Sequence, residues 1–275
     1  MCRKHSGVIP NLTGTFDSPV CYSVSIGTPL PLIKFILTFA ALQSSSCVAV
    51  SLGSLAALKS STNSSAALGL SIGGWGEGSE RFTAVSADPE KRRAFVYSVI
   101  NTVKTYNLQA VELAWTSPTL RGGSQSDARN YNLLVEDTVR ALRPMGLLVG
   151  VVLPVLNEVD VLKALDLPTL AKLADWLPVH GHGLHGHWDP YTDVNAPLFS
   201  PRRATSAPSY VGLLQMFLDV APATSLALGM PAFGRTWVLA DSPVPGGVGS
   251  KAEPAAVFSE LGLLTYREVT IPYQK

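Results

Sequence analysis

The sequence predicts an α/β fold in which helices close over a parallel sheet. From Leu68 onward, short runs with strand character alternate with longer runs of helical spacing, the order of successive strand–helix units. The run Leu147 to Pro154 is apolar throughout, as a parallel strand covered on both faces must be. The chain has 275 residues, so a single α/β barrel of about 250 residues would nearly fill it.

Composition excludes several classes of partner. The net charge is +1 and only 15% of residues are charged, so no strong field recruits nucleic acid or an anionic membrane. Neither is expected as a partner. The three cysteines, Cys2, Cys21 and Cys47, all lie near the start of the chain, and an odd count does not close into a disulfide framework. A Cys21–Cys47 pair and free buried thiols are the two readings left open.

Taken in order, residues 1 to 30 carry Pro, Gly and Ser punctuation without a sustained period, with one candidate strand at Val20 to Ile26. The opening M-C-R-K-H lacks the apolar run of an ordinary signal peptide. Lys34 followed by Phe35 to Leu42 has the make-up of an internal signal-peptide core, yet it is too short to cross a bilayer. An early strand is the better reading. Ser51 to Ser60 is expected to be a short helix and Ser60 to Ala66 a polar loop. Leu68 to Trp75 reads as a strand ending in the Gly73-Gly74 turn, where a side chain would block tight backbone geometry. That turn lacks both G-x-G-x-x-G and a following Lys-Ser/Thr pair, so no phosphate-bearing cofactor is expected. A helix over Pro89 to Tyr106, a strand over Ala110 to Trp115 and a loop from Pro118 to Ser126 follow. The order continues with a helix over Asp127 to Leu142, the Leu147 strand, a helix over Leu167 to Ala174 and a strand over Trp176 to His182. A helix over Tyr210 to Val220 and a strand over Ser225 to Gly229 complete it.

The stretch Leu108 to Pro118, L-Q-A-V-E-L-A-W-T-S-P, organises the rest. On a strand Val111, Leu113 and Trp115 share one face and Glu112, Ala114 and Thr116 the other. This stretch resembles the signature strand of the chitinase family, glycoside hydrolase family 18, which reads roughly F-D-G-x-D-x-D-W-E-Y-P. Other segments resemble the same family in the same order: Ser71-Ile-Gly-Gly-Trp75, Gly78 to Phe82, His185 to Pro190 with Asn195 to Leu198, Leu228 to Arg235, and Glu260 to Val269. The resemblance implies a (β/α)8 TIM-type barrel, incomplete at the C-terminal end. Its expected divisions are a divergent segment over 1–30, the barrel over 31–250 and the start of a small α+β insertion over 251–275.

What the resemblance implies about chemistry is a loss. The family protonates the glycosidic oxygen with a Glu while the sugar's own acetamido group attacks, oriented by a neighbouring Asp. Carried across position by position, the family's three Asp residues fall on Gln109, Glu112 and Ala114, and its catalytic Glu falls on Thr116. A hydroxyl is far too weak an acid for that task. On the sixth strand the family's M-x-Y-D falls on His180 to Gly183, so its Tyr becomes His182 and its Asp becomes Gly183. Glu112 remains as a displaced acid or, as the better reading, an inward carboxyl hydrogen-bonded to a neighbour such as one of the histidines.

Binding is less damaged. Trp75 and Trp188 match positions that stack on sugar rings in the family, an indole being a large flat apolar surface. Asp189, Asn195, Phe233 and Arg235 complete the expected carbohydrate-binding set. Four of the five histidines, His180, His182, His185 and His187, fall outside the family pattern except for His185. An i, i+2 imidazole pair suits Zn²⁺ or Cu²⁺, but ordinary cleft histidines are the expectation and no metal is assigned. The expected function is binding of chitin or chitooligosaccharide without hydrolysis, in an extracellular protein whose sequons at Asn11 and Asn63 would then matter. A weak hydrolase using Glu112 and a truncated product without function stand as alternatives.

Overall fold

The alternation of strand and helix read from the sequence is realised from Gly69 to Gly229. The computed structural model describes residues 37–38, 68–153, 165–200, 209–231, 233–245, 247–253, 262–265 and 269. The expected strand at Val20, the helix at Ser51, the polar loop after it, the cysteines and both sequons lie outside these residues.

Six parallel strands follow one another in chain order: β1 (Leu37–Thr38), β2 (Gly69–Gly73), β3 (Ala110–Ala114), β4 (Leu148–Val151), β5 (Leu177–His180) and β6 (Leu226–Gly229). β1 pairs with β2 through Leu37 and Leu70, so strand structure holds for these two residues of the early apolar run. β4 and β5 are joined by the bridges Gly150–Trp176 and Leu153–Val179. Each strand lies beside its sequence neighbour, the order of a singly wound barrel wall and not of a doubly wound sheet, in which the order reverses. Among the described residues the sheet does not close on itself.

The connecting helices are α1 (Glu80–Ala87), α2 (Pro89–Thr105), α3 (Asp127–Leu142), α4 (Leu167–Leu173) and α5 (Tyr210–Leu218). Their starts are set by local chemistry. Asp88 accepts from the amides of Glu90 and Lys91, with Pro89 in the first turn of α2. Asp166 and Ser209 cap α4 and α5 in the same way. Sequence reading missed α1 because only Phe82 and Ser86 of its residues are buried, too few to leave a helical stripe. The longest helix among the described residues is α2, and no helix among them is long and apolar enough to cross a membrane.

The core lies between the sheet and the helices. Trp115 is fully buried there, stacked on Phe82 at 5.1 Å and edge-on to Tyr131 at 5.2 Å. Its indole N–H donates to Ser79 Oγ, so the Trp of the signature strand is a structural fixture on the outer face. Beyond β6 the chain turns antiparallel. β7 (Phe233–Arg235) pairs with β10 (Leu263–Thr265), and β8 (Val238–Leu239) with β9 (Ala252–Glu253). The Leu228 to Arg235 motif therefore continues past the parallel strand into a second, antiparallel one.

Candidate functional site

Parallel strands bring all their C-terminal ends to one side, and the loops that follow them form a shared mouth. Trp75 begins a turn of 3-10 helix after β2, Thr116 follows β3, His182 to Asp189 follow β5, and Phe233 and Arg235 follow β6. Trp75 is 55% exposed and Trp188 44%, so each indole is about half open to solvent. Gln109 sits at the opposite end of β3, where its amide carbonyl accepts from the Leu68 amide at 2.9 Å.

The mouth of β3 carries no carboxyl at Ala114 or Thr116. Ala114 is buried, and Thr116 carries only a hydroxyl, 3.5 Å from Ser117 Oγ. At the mouth of β5, Gly183 takes a positive φ of 71°, a backbone conformation that favours glycine.

Glu112 lies deeper. The registers place Ser71, Glu112 and Gly150 side by side, with Trp176 bridged to Gly150. Ser71 Oγ donates to Glu112 Oε1 at 2.6 Å. The partner is a serine on the neighbouring strand and not a histidine, which corrects the expectation. Burial pushes the Glu112 pKa up, against the opposing pull of Ser71 and Trp176. The Trp176 indole favours the charged form but stops short of a hydrogen bond, and both Glu112 Oε2 and Trp176 Nε1 lack a hydrogen-bond partner. Glu112 and Thr116 are four positions apart, about 13 Å along an extended backbone. A carboxyl at that depth does not reach a glycosidic oxygen bound at the level of Thr116.

The four histidines separate into three environments. β5 ends at His180, short of the expected strand to His182, yet His180 and His182 stack at 5.2 Å, and His182 meets Phe233 edge-on at 5.8 Å. Burial holds His180 down to about 3, helped by the charge of His182. His182 is held at about 4 by burial and by the Arg235 guanidinium. Both are neutral at ordinary pH. His185 stands between Asp189 at 3.3 Å and Asp193 at 3.8 Å, and His187 packs against Trp188 at 5.3 Å. Among the described residues no three His, Cys, Asp or Glu side chains converge on a metal position.

The remaining residues shape the loop beneath Trp188. Asp189 Oδ2 accepts from the Gly186 amide at 2.9 Å, and Asn195 Oδ1 accepts from the Gly183 amide at 2.9 Å. Asn195 Nδ2 is buried without a hydrogen-bond partner. Arg235 lies 4.9 Å from the Trp188 ring and 5.5 Å from Phe233, joining the two aromatics.

Arg121 had no assigned role in the sequence reading, and only the folded chain gives it one. Its guanidinium sits 4.2 Å from the Trp75 ring and donates to the Trp75 carbonyl. The loop that carries it is pinned by buried Asp127, whose Oδ2 accepts from the Thr119 amide, the Ser124 amide and Thr83 Oγ1 at 3.0, 2.8 and 2.9 Å. Positive φ at Thr119 and Arg121 is a backbone signal with no counterpart in residue type.

Similarity to known proteins follows the same lines. The oviduct-specific glycoprotein of Ovis aries is 32% identical over 215 residues, which are 73% of this chain and 39% of that protein. The probable chitinase 2 of Drosophila melanogaster is 32% identical over 209 residues, 73% of this chain and 41% of that one. The chain thus spans about two fifths of the length of these curated relatives. Among solved structures, the Group IV chitinase of Ostrinia furnacalis in complex with allosamidin matches with a TM-score of 0.73 at 25% identity, over 82% of this chain and 62% of that one. Human YKL-39, described as a pseudo-chitinase with retained chitooligosaccharide binding, matches with a TM-score of 0.72 at 20% identity, over 85% of this chain and 69% of that one. At that identity the likeness is one of fold. The scaffold is therefore TIM-barrel-like, and with residues 20–271 matching the description "Glycosyl hydrolases family 18", the chain belongs to that family.

Proposed function

We propose that this chain is a carbohydrate-binding member of the family that holds chitin or chitooligosaccharide at the barrel mouth without cleaving it. The observation that carries this reading is the pairing of two exposed indoles, Trp75 and Trp188, with a mouth whose acid positions are Ala114, Thr116 and Gly183. Indole faces supply stacking area for sugar rings. Phe233 and Arg235 would extend the platform at Trp188, and Asp189 and Asn195 would offer polar contacts from the loop they brace. Ala114, Thr116 and Gly183 supply no carboxyl for the proton that departure of a glycosidic oxygen requires. An extracellular location goes with this reading, since the sequons at Asn11 and Asn63 are acceptors only there.

A second reading, hydrolysis through Glu112, draws on that carboxyl's raised pKa, the property a general acid needs. Its depth of about 13 Å below Thr116 works against it. Calorimetric titration of chitohexaose, with the sugar recovered afterwards, separates the two. Saturable binding with intact sugar, weakened about tenfold by Trp75→Ala or Trp188→Ala, is the expected result. Cleaved sugar, with cleavage abolished by Glu112→Gln, would establish the hydrolase instead.

A further inference from the structure

Each exposed indole at the mouth carries an arginine. Arg121 covers one face of Trp75 at 4.2 Å and Arg235 lies 4.9 Å from Trp188. A guanidinium against a half-exposed indole sets a rigid fork of N–H donors beside the ring area that solvent still reaches. Arg121 is exposed, and among the described residues it has no carboxylate within ion-pair distance. Its placement is built in. The Asp127 carboxylate holds the loop with φ of 71° at Thr119 and 50° at Arg121, and a β-branched residue takes such a φ only under constraint.

The charge around these arginines differs from that of an acid-bearing cleft. Ala114, Thr116 and Gly183 contribute no carboxylate, and Glu112 is buried away from solvent. Three carboxylates of the segments that carry the indoles have partners, while Glu80 is exposed beside Gly122. Glu77 is paired with Arg81 at 2.8 Å, Asp189 takes the Gly186 amide, and Asp193 faces His185 at 3.8 Å.

We infer that the mouth selects an acidic glycan, one that carries uronate carboxylates between its aminosugar rings, over neutral chitooligosaccharide. This rests on the sugar-binding role proposed above. The aminosugar stacks on the exposed indole area and the neighbouring carboxylate meets the guanidinium fork, which matches it in a bidentate, charge-assisted geometry.

The test is calorimetric titration of hyaluronan hexasaccharide and of chitohexaose into the full chain, at low and at high salt. The acidic sugar is expected to bind about tenfold tighter at low salt, with that advantage shrinking as salt screens the arginines. Arg121→Ala should bring the two affinities to within about twofold of each other, whereas Trp75→Ala should weaken both sugars and keep the acidic one ahead. Arg121→Gln serves as the milder variant if Arg121→Ala melts early. Equal or tighter binding of chitohexaose, or a preference that survives the loss of Arg121, overturns the inference and leaves the sugar-binding reading standing. A folded protein that takes up neither sugar overturns both.

Discussion

Glu112 is the residue at which sequence and structure part most sharply. Its type suggests an acid, but its place in the Ser71–Glu112–Gly150 layer makes it an interior group with one satisfied oxygen. Its folded pKa is raised, so the folded chain binds the proton more tightly than the unfolded one. The stability this contributes is fully present below the unfolded value of 4.5 and is lost as pH rises through the folded pKa. The slope approaches about 1.4 kcal/mol per pH unit within that window. Glu112→Gln should flatten this decline in thermal melts above pH 6.5, where the buried histidines no longer contribute a slope. An unchanged slope would mean that the carboxyl is ionised in the fold. Gly150 beside it is equally constrained, since a Cβ there would lie 2.2 Å from the Trp176 ring. Gly150→Ala should destabilise by about 2–3 kcal/mol through overpacking, read from denaturant unfolding.

At the scale of the element, the loop between β3 and α3 does the most for the mouth. Its glycines and serines suggest an unconstrained connection, yet Asp127 gathers the Thr119 and Ser124 amides and Thr83 Oγ1 on one oxygen. That carboxylate also stands in the first turn of α3, where negative charge is favoured. Asp127→Ala should cost about 3 kcal/mol and leave those groups unpaired. The accompanying sign is faster hydrogen exchange at the Thr119 and Ser124 amides than elsewhere in the sheet. Uniform exchange across the chain would instead indicate global loosening. The helices behave more simply. Asp88 and Pro89 are readable as a start signal, and α3 was expected over the same residues it occupies, because its buried positions recur at helical spacing.

For the whole molecule, two sets of buried groups act on stability with opposite signs. His180 and His182 have folded values of about 3 and about 4, below the unfolded value of 6.5. The stability they contribute is present above 6.5 and is lost as pH falls toward those folded values. Glu112 acts the other way above 4.5. Between pH 4.5 and 6.5 the two trends offset, so the wild-type chain should show a shallower acid-side loss than Glu112→Gln. Melting curves of both proteins across that range check this, and parallel curves would rule it out. Binding at the mouth should not change through these histidines above pH 5, about a unit above the higher of their folded values.

Much of this protein was legible before any fold was drawn. Apart from α1, strand and helix order from Leu68 to Gly229 follows from local periodicity and capping, and the lack of a carboxyl at Ala114, Thr116 and Gly183 follows from residue identity. A residue type excludes chemistry wherever its side chain lies, so the absence of an acid at those positions did not depend on geometry. Sequence also placed Trp75 and Trp188 at strand ends, because parallel strands put their following loops on one side. Partnership was the part decided only by tertiary structure. Ser71 as the mate of Glu112, Asp127 as the clasp of its loop and Arg121 on the face of Trp75 join residues 41, 8 and 46 positions apart or on separate elements. No local pattern encodes such pairings, since they arise from the register of neighbouring strands and from backbone turns that residue type does not specify.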